Sequence, residues 1–230
     1  MVSMRRRMME NASADARGYV TADMELWLDG INNTGDGHSS SADSWHDLSG
    51  NGHDFSIGAY NSWGADHLTM ARGISTSVGI PTTIKYTELV FKNSGNETTT
   101  MVIFPHGNQY VCFFAHSTLC FAPNGSIGAY PRVDLSDSWT DLHAISFPRD
   151  YKAGTEFGDI YLDGQLVTTT NANPGTWNTT QYKRIGGYSS LTDNAYKGKM
   201  YAIRLYNRVL TEAEILQNWR EDQRRFFGGN

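Results

Sequence analysis

Asp29, Asp36, Asp43, Asp47, Asn51 and Asp54 crowd into one short stretch of the chain. Calcium takes oxygen ligands from carboxylates, amides and backbone carbonyls. Asp29, Asp47, Asn51 and Asp54 are therefore candidate ligands for a Ca2+ ion. The same residues carry a second reading. Asp and Asn side chains bond to their own loop backbone, and Gly50 and Gly52 supply positive φ. A different chemistry resides in the loop aromatics. Tyr60-Asn61-Ser62-Trp63 is one cluster, Trp177-Asn178 beside Asn173-Pro174-Gly175 is another, and Tyr188 follows Gly186-Gly187. An aromatic ring stacks on the C–H face of a sugar while amides fix its hydroxyls. Tyr60, Asn61, Trp63, Trp177, Asn178 and Tyr188 are the candidate glycan contacts. Trp27, Trp45, Trp139 and Trp219 fall at strand or helix positions and read as core.

Catalysis finds less support. Glycosidic hydrolysis uses two carboxylates flanking the scissile bond, and on one strand they must sit an even number of residues apart to share a face. The best pair, Glu156 and Asp159, is three apart and stands before a strand. No Gly-x-Ser-x-Gly, His-Glu-x-x-His or phosphate-loop motif occurs. The expectation is no catalytic residue and no enzyme. The seven histidines have no fixed metal-ligand spacing. His46 and His53 flank the Asp47 loop, and they read as solvated or turn-capping groups. Cys112 and Cys120 lie symmetrically about His116. A hairpin turning there would set them face to face, which leaves two readings, a disulfide or two free thiols.

The net charge of −5 offers nothing that attracts a polyanion over the whole surface. Arg5-Arg6-Arg7 is the basic cluster near the start, and nucleic acid is not expected as a partner. No apolar run is long enough to span a membrane. The Met/Arg-rich start has the charges of a signal peptide without an apolar segment behind them. Export by the general secretory route is not expected.

The elements that must position these groups are short strands. Leu26-Trp27-Leu28 opens the first, and a Gly/Asn/Ser/Asp-rich loop runs from Asp29 to about Ser44. Residues 86–91, 99–104 and 141–147 are β-rich or alternate with period two. Residues 111–121 read as a hairpin, and Asn124-Gly125 is a further turn signal. Ile160-Tyr161-Leu162, Asp163-Gly164 and Gln165-Leu166-Val167 form the clearest hairpin, with a type I′ turn. Lys199–Tyr206 is the last of about a dozen strands, a pattern of sandwich or barrel. Thr211-Glu212-Ala213-Glu214 is a capping box. It starts one short helix whose apolar stripe is Ile215, Leu216 and Trp219, with Leu210 stapled to Ile215. Residues 1–22 read as a flexible or assembly-ordered arm, and residues 23–227 as one domain.

Several stretches, in order, resemble the laminin-G-like branch of the concanavalin A-like lectin/glucanase superfamily. They are Leu26–Gly30, Trp45–Asp54, Trp139–Ile145, Ile160–Val167, Arg184–Gly187 and Tyr196–Thr211. The resemblance implies an all-β jelly-roll sandwich with a short C-terminal α-helix, and calcium near the Asp47 loop. The closing strand departs from the family pattern: Tyr201-Ala202 stands where Asp-Glu is usual, which weakens the calcium expectation. The insertion after Asp29, with the Arg/Met-rich start, resembles proteins of tailed phages and prophages. That implies a virion component, a head or tail decoration or adhesion module with host-surface or mucus glycans as ligands. Its arm would hold other virion proteins, and homo-oligomers would multiply a weak sugar site. The competing expectations are a purely structural protein–protein interaction domain and a polysaccharide-degrading enzyme.

Overall fold

The computed structural model describes residues 18–81, 83–95, 101–106, 109–115, 118–120, 132–135, 140–148, 159–167, 182–187, 190–192 and 194–228. Its strands in chain order are β1 (Met24–Asp29), β2 (Ser44–Trp45), β3 (Phe55–Ser56), β4 (Ser62–Trp63), β5 (Leu68–Met70), β6 (Ile74–Ile80), β7 (Tyr86–Asn93) and β8 (Met101–His106). There follow β9 (Gln109–Ala115), β10 (Thr118–Cys120), β11 (Arg132–Asp134), β12 (Leu142–Pro148), β13 (Ile160–Leu162), β14 (Gln165–Val167), β15 (Tyr182–Ile185) and β16 (Gly198–Tyr206). One helix, α1, spans Glu212–Phe226.

The large sheet runs β14-β13-β12-β7-β16-β5-β4, all antiparallel where paired. β16 is its spine. One edge pairs with β7, and the other is shared end to end by β5, at Gly198–Met200, and β1, at Ala202–Tyr206. Two four-stranded sheets, β11-β10-β9-β8 and β15-β6-β3-β2, supply the opposing side chains. One core joins all three: Leu89, Phe91, Ile145 and Ile203 of the large sheet meet Phe55, Ile74 and Ile185 of one small sheet and Leu119 of the other. Alternation along each strand sends these residues to one face.

Register refines several expectations. The 160–167 hairpin forms with Asp163 at φ 51 and Gly164 at φ 74, as a type I′ turn requires. A Cβ on Gly164 would also overlap the Trp219 indole, so this turn needs glycine for packing as well as for φ. β9 and β10 do form a hairpin, but its register pairs Cys120 with Phe113 rather than with Cys112. The two cysteines are therefore not direct cross-strand partners. The Asn124-Gly125 turn and Trp139 lie outside the described residues. So do residues 1–17 of the expected arm. Of the arm's described residues, Tyr19 and Val20 are buried against α1.

The helix docks on the outer face of the large sheet, through a face that shares Ile215 with the apolar stripe read in the sequence but is otherwise mostly polar. Its buried positions are Ile215, Asn218, Glu221, Asp222 and Phe226, whereas Leu216 and Trp219 are half-buried. Beneath it lies a closed polar network. Arg204 donates from Nε to Glu88 Oε2 at 2.7 Å and from its two terminal nitrogens to Asp222, at 2.9 and 2.5 Å. Tyr19 donates to Asp222 at 2.7 Å, and Asn218 Nδ2 donates to Glu88 at 2.8 Å. Burial raises the Glu88 carboxyl above its ordinary range, against the pull of Arg204.

The capping box is present, with Thr211 N donating to Glu214 Oε2 at 2.9 Å. Arg208 adds a two-pronged bond to the same carboxylate, at 2.8 and 2.6 Å. These bonds, Arg208 first, lower the Glu214 pKa to about 2. Because the folded value lies below the unfolded one, the contribution of Glu214 is present above the ordinary glutamate range. It is lost as pH falls toward about 2. Melting temperatures of wild type and Glu214→Gln are expected to differ most near neutral pH and to converge at the acid end. A gap that stays constant through that acid range would refute the assignment.

Candidate functional site

Tyr60 lies on the loop between β3 and β4. The neighbouring Asn61 explains its pose. Asn61 is buried, its Nδ2 donates to Ile57 O at 2.5 Å, and its Oδ1 accepts from Ala71 N and Arg72 N at 2.9 and 3.1 Å. One side chain therefore closes the loop and ties it to the turn between β5 and β6. That tie brings the Arg72 guanidinium over one face of the Tyr60 ring, 3.4 Å from its centroid. The ring is left 63% exposed. A cation stacked on one face holds the ring against rotation and leaves the other side accessible.

Beside this ledge is a depression of about 350 Å³ lined by Ala71, Arg72, Thr192, Asn194, Ala195 and Lys197. Its polar lining combines amide, hydroxyl and two cationic side chains, and no Asp or Glu is among the described lining residues. A ring, an amide and a hydroxyl suit a sugar, and the cations suit a carboxylate on it.

The other predicted contacts divide. Asn61 works as the loop clamp just described. Trp63 is half-buried; its indole donates to Ala42 O at 2.8 Å and packs edge-on against Trp45. It fastens the loop after β1 to the core rather than presenting a platform. Trp177, Asn178 and Tyr188 lie outside the described residues. Arg72 and Lys197 are not among the residues singled out in the sequence, because nothing local there says that the turn after β5 reaches the Tyr60 loop.

The proposed calcium ligands are engaged by protein donors. Asp47 is 2% exposed. Its Oδ1 accepts from Trp27 N and Ser49 N, both at 3.0 Å, and its Oδ2 from Ser49 Oγ at 2.9 Å and His53 N at 3.0 Å. Asp29 is fully buried, accepts from Ile31 N and Asn32 N, and is ion-paired with Arg225. Asp54 accepts from Asp47 N at 2.8 Å and faces His46 at 3.0 Å. Asn51 directs its Nδ2, a donor, at the Met24 and Glu25 carbonyls. As arranged, these four residues do not fit a calcium ion, and no cluster of metal-ligating side chains occurs among the described residues. His46 and His53 each pair with a separate carboxylate, Asp54 and Glu25. Glu156 of the candidate catalytic pair lies outside the described residues.

Comparison with known proteins agrees with this architecture. A laminin G family profile of the concanavalin A-like lectin/glucanases superfamily matches residues 81–216. The chain belongs to that superfamily. A search of curated protein sequences finds no match. Among solved structures, Trypanosoma rangeli sialidase superposes with TM-score 0.65 at 13% identity, over 96% of this chain and 39% of that one. A mutant of it displaying trans-sialidase activity gives 0.66 at 13% identity over the same shares. The botulinum neurotoxin type G receptor binding domain gives 0.59 at 13%, over 86% of this chain and 51% of that one. The likeness is one of fold: a jelly-roll of the concanavalin A type, spanning well under half of the sialidase chains.

Proposed function

We propose that this domain is a non-enzymatic glycan-binding module, and that the Tyr60–Arg72 ledge is where it binds a sugar bearing a carboxylate. The observation that carries the reading is the Tyr60 ring, exposed on one side and held by Arg72 on the other. A fixed, exposed ring loses little freedom when a sugar stacks on it. Thr192 and Asn194 supply hydroxyl and amide contacts, and Arg72 with Lys197 supplies charge for an acidic substituent. The non-catalytic part of the reading is supported by the fate of Glu88 and Asp222. The fold brings these carboxylates together, and both are bound to Arg204 beneath α1. On the phage resemblance of the chain, the module's place is a virion head or tail, with host-surface or mucus glycans as ligands. Other virion proteins would hold it through its N-terminal residues, and a homo-oligomer would multiply a weak site.

The test is a glycan array probed with the full chain, once with calcium and once with EDTA. Acidic glycans are expected to be retained in both, since no carboxylate lines the ledge among the described residues. Tyr60→Ala is expected to weaken binding about tenfold, ~1.4 kcal/mol. Arg72→Ala is expected to lose the preference for acidic over neutral glycans. Absence of binding in both conditions would defeat the proposal and favour a structural protein–protein module. Binding that disappears in EDTA would move the site to a metal.

A further inference from the structure

A second pocket, of about 370 Å³, opens where β7, β12 and β13 meet the start of α1. Its lining includes the apolar side chains of Pro148, Leu210 and Ile215. It also includes two carboxylates, Asp159 and Glu212, and the rings of Tyr86 and Tyr161. No lysine or arginine is among the described lining residues. The nearby Arg208 is committed to Glu214 and Asp23.

Tyr86 is the informative residue. It is 2% exposed, and its phenol oxygen has no hydrogen-bond partner. Buried hydroxyls are nearly always bonded, so an orphan one in a pocket wall marks a place for a ligand group. Burial, with the charges of Glu88 and Asp159 behind it, holds the phenol well above its ordinary pKa. Tyr161 is raised for the same reason, with Glu212 and Asp159 as the contributing charges. Both hydroxyls are therefore neutral at physiological pH. The lining offers lone pairs, negative charge, aromatic rings and aliphatic surface.

We propose that this pocket binds the side chain of a peptide arginine, its guanidinium held by Asp159, Glu212 and the Tyr86 hydroxyl and its aliphatic stem lying along Leu210 and Ile215. Guanidinium is a planar donor with no acceptor, which suits a wall of carboxylates, and it stacks on aromatic rings where a compact ammonium is held less well. A stem that is apolar up to a charged head suits a lining that combines apolar side chains with carboxylates. This site is distinct in chemistry from the Tyr60 ledge: there the protein supplies the cations, and here it supplies the anions.

The test uses the full chain carrying Arg5→Gln, Arg6→Gln and Arg7→Gln, so that its own arginines do not compete. The probe is a fluorescently labelled peptide of the sequence Ser3–Met9, followed by anisotropy. Saturable binding is expected, weakened about tenfold or more by Asp159→Asn with Glu212→Gln and several-fold by Tyr86→Phe. Citrulline in place of arginine, which keeps the shape and removes the charge, is expected to abolish it. A lysine peptide is expected to bind more weakly than the arginine peptide. Melting temperatures of the variants establish that they are folded. Equal binding of the citrulline peptide, indifference to the Asp159/Glu212 pair in folded protein, or no binding at all would overturn the proposal.

Discussion

Arg204→Ala is expected to cost about 3–5 kcal/mol, the order found when one partner of a buried ion pair is removed. Domains of this kind have a net stability of about 5–15 kcal/mol, so the loss is a large share of the total and the variant's unfolding midpoint should fall well below that of wild type. Arg204 is 1% exposed and ties together three elements: Glu88 on β7, its own strand β16, and Asp222 on α1. Truncation leaves two buried carboxylates facing each other without a cation. The Tyr19 ring, 4.4 Å from the guanidinium, would lose the nearer of its two cations, and Tyr19 is what seats the chain entering the domain. A double variant separates charge from packing. Arg204→Met with Glu88→Gln leaves one carboxylate, Asp222, which keeps its bond from Tyr19, and should recover part of the loss. Urea denaturation reads both. An unfolding free energy for Arg204→Ala within about 1 kcal/mol of wild type, below the usual range for such a loss, would show that the helix is held by its apolar contacts alone.

That network also marks the limit of what could be read from residue order. The strands were legible because β-rich runs and turn residues are local: Asp163-Gly164 demands positive φ, and residues 86–91 are a β-rich run. The helix start was legible for the same reason, since Thr211 and Glu214 are three residues apart. The helix's buried face was not. Hydropathy selects Leu216 and Trp219, but the sheet beneath α1 presents Glu88, Arg204 and Tyr206, so Asn218 and Asp222 turn inward to meet them. A polar residue is a poor core candidate until its partner is known, and the partners here are separated by up to 203 residues. The candidate site shows the same division. Tyr60 could be singled out as a loop aromatic. Arg72 could not, because its place under the ring depends on the Asn61 tie, and Asn61 reads equally well as a sugar ligand. The acidic loop after β1 had two readings from the start, and only the positions of its hydrogen-bond donors separate them.

Asp47→Ala is expected to lower stability by about 3–4 kcal/mol. The amides of Trp27 and His53 are buried and each would lose its acceptor, and the Ser49 amide is partly buried. An unsatisfied buried amide costs about 1–3 kcal/mol, toward the upper end when the lost acceptor is charged. The effect reaches the core, because the same carboxylate positions Trp27 on β1, and Leu48 N donates back to Trp27 O at 2.8 Å. Asp47→Asn keeps one oxygen acceptor and replaces the other with a donor that would face the His53 amide or the Ser49 hydroxyl, so it should cost roughly half as much. Thermal melts with millimolar calcium and then with EDTA distinguish this scaffold role from metal binding. A ligand that binds only the folded state raises the melting temperature. The arrangement around Asp47 leaves its oxygens fully engaged by the chain, so wild type should melt at the same temperature in both solutions. A calcium-dependent rise in wild type that vanishes in Asp47→Asn would instead make the carboxylate a ligand, and the amides of Trp27, Ser49 and His53 would then have to release it on binding.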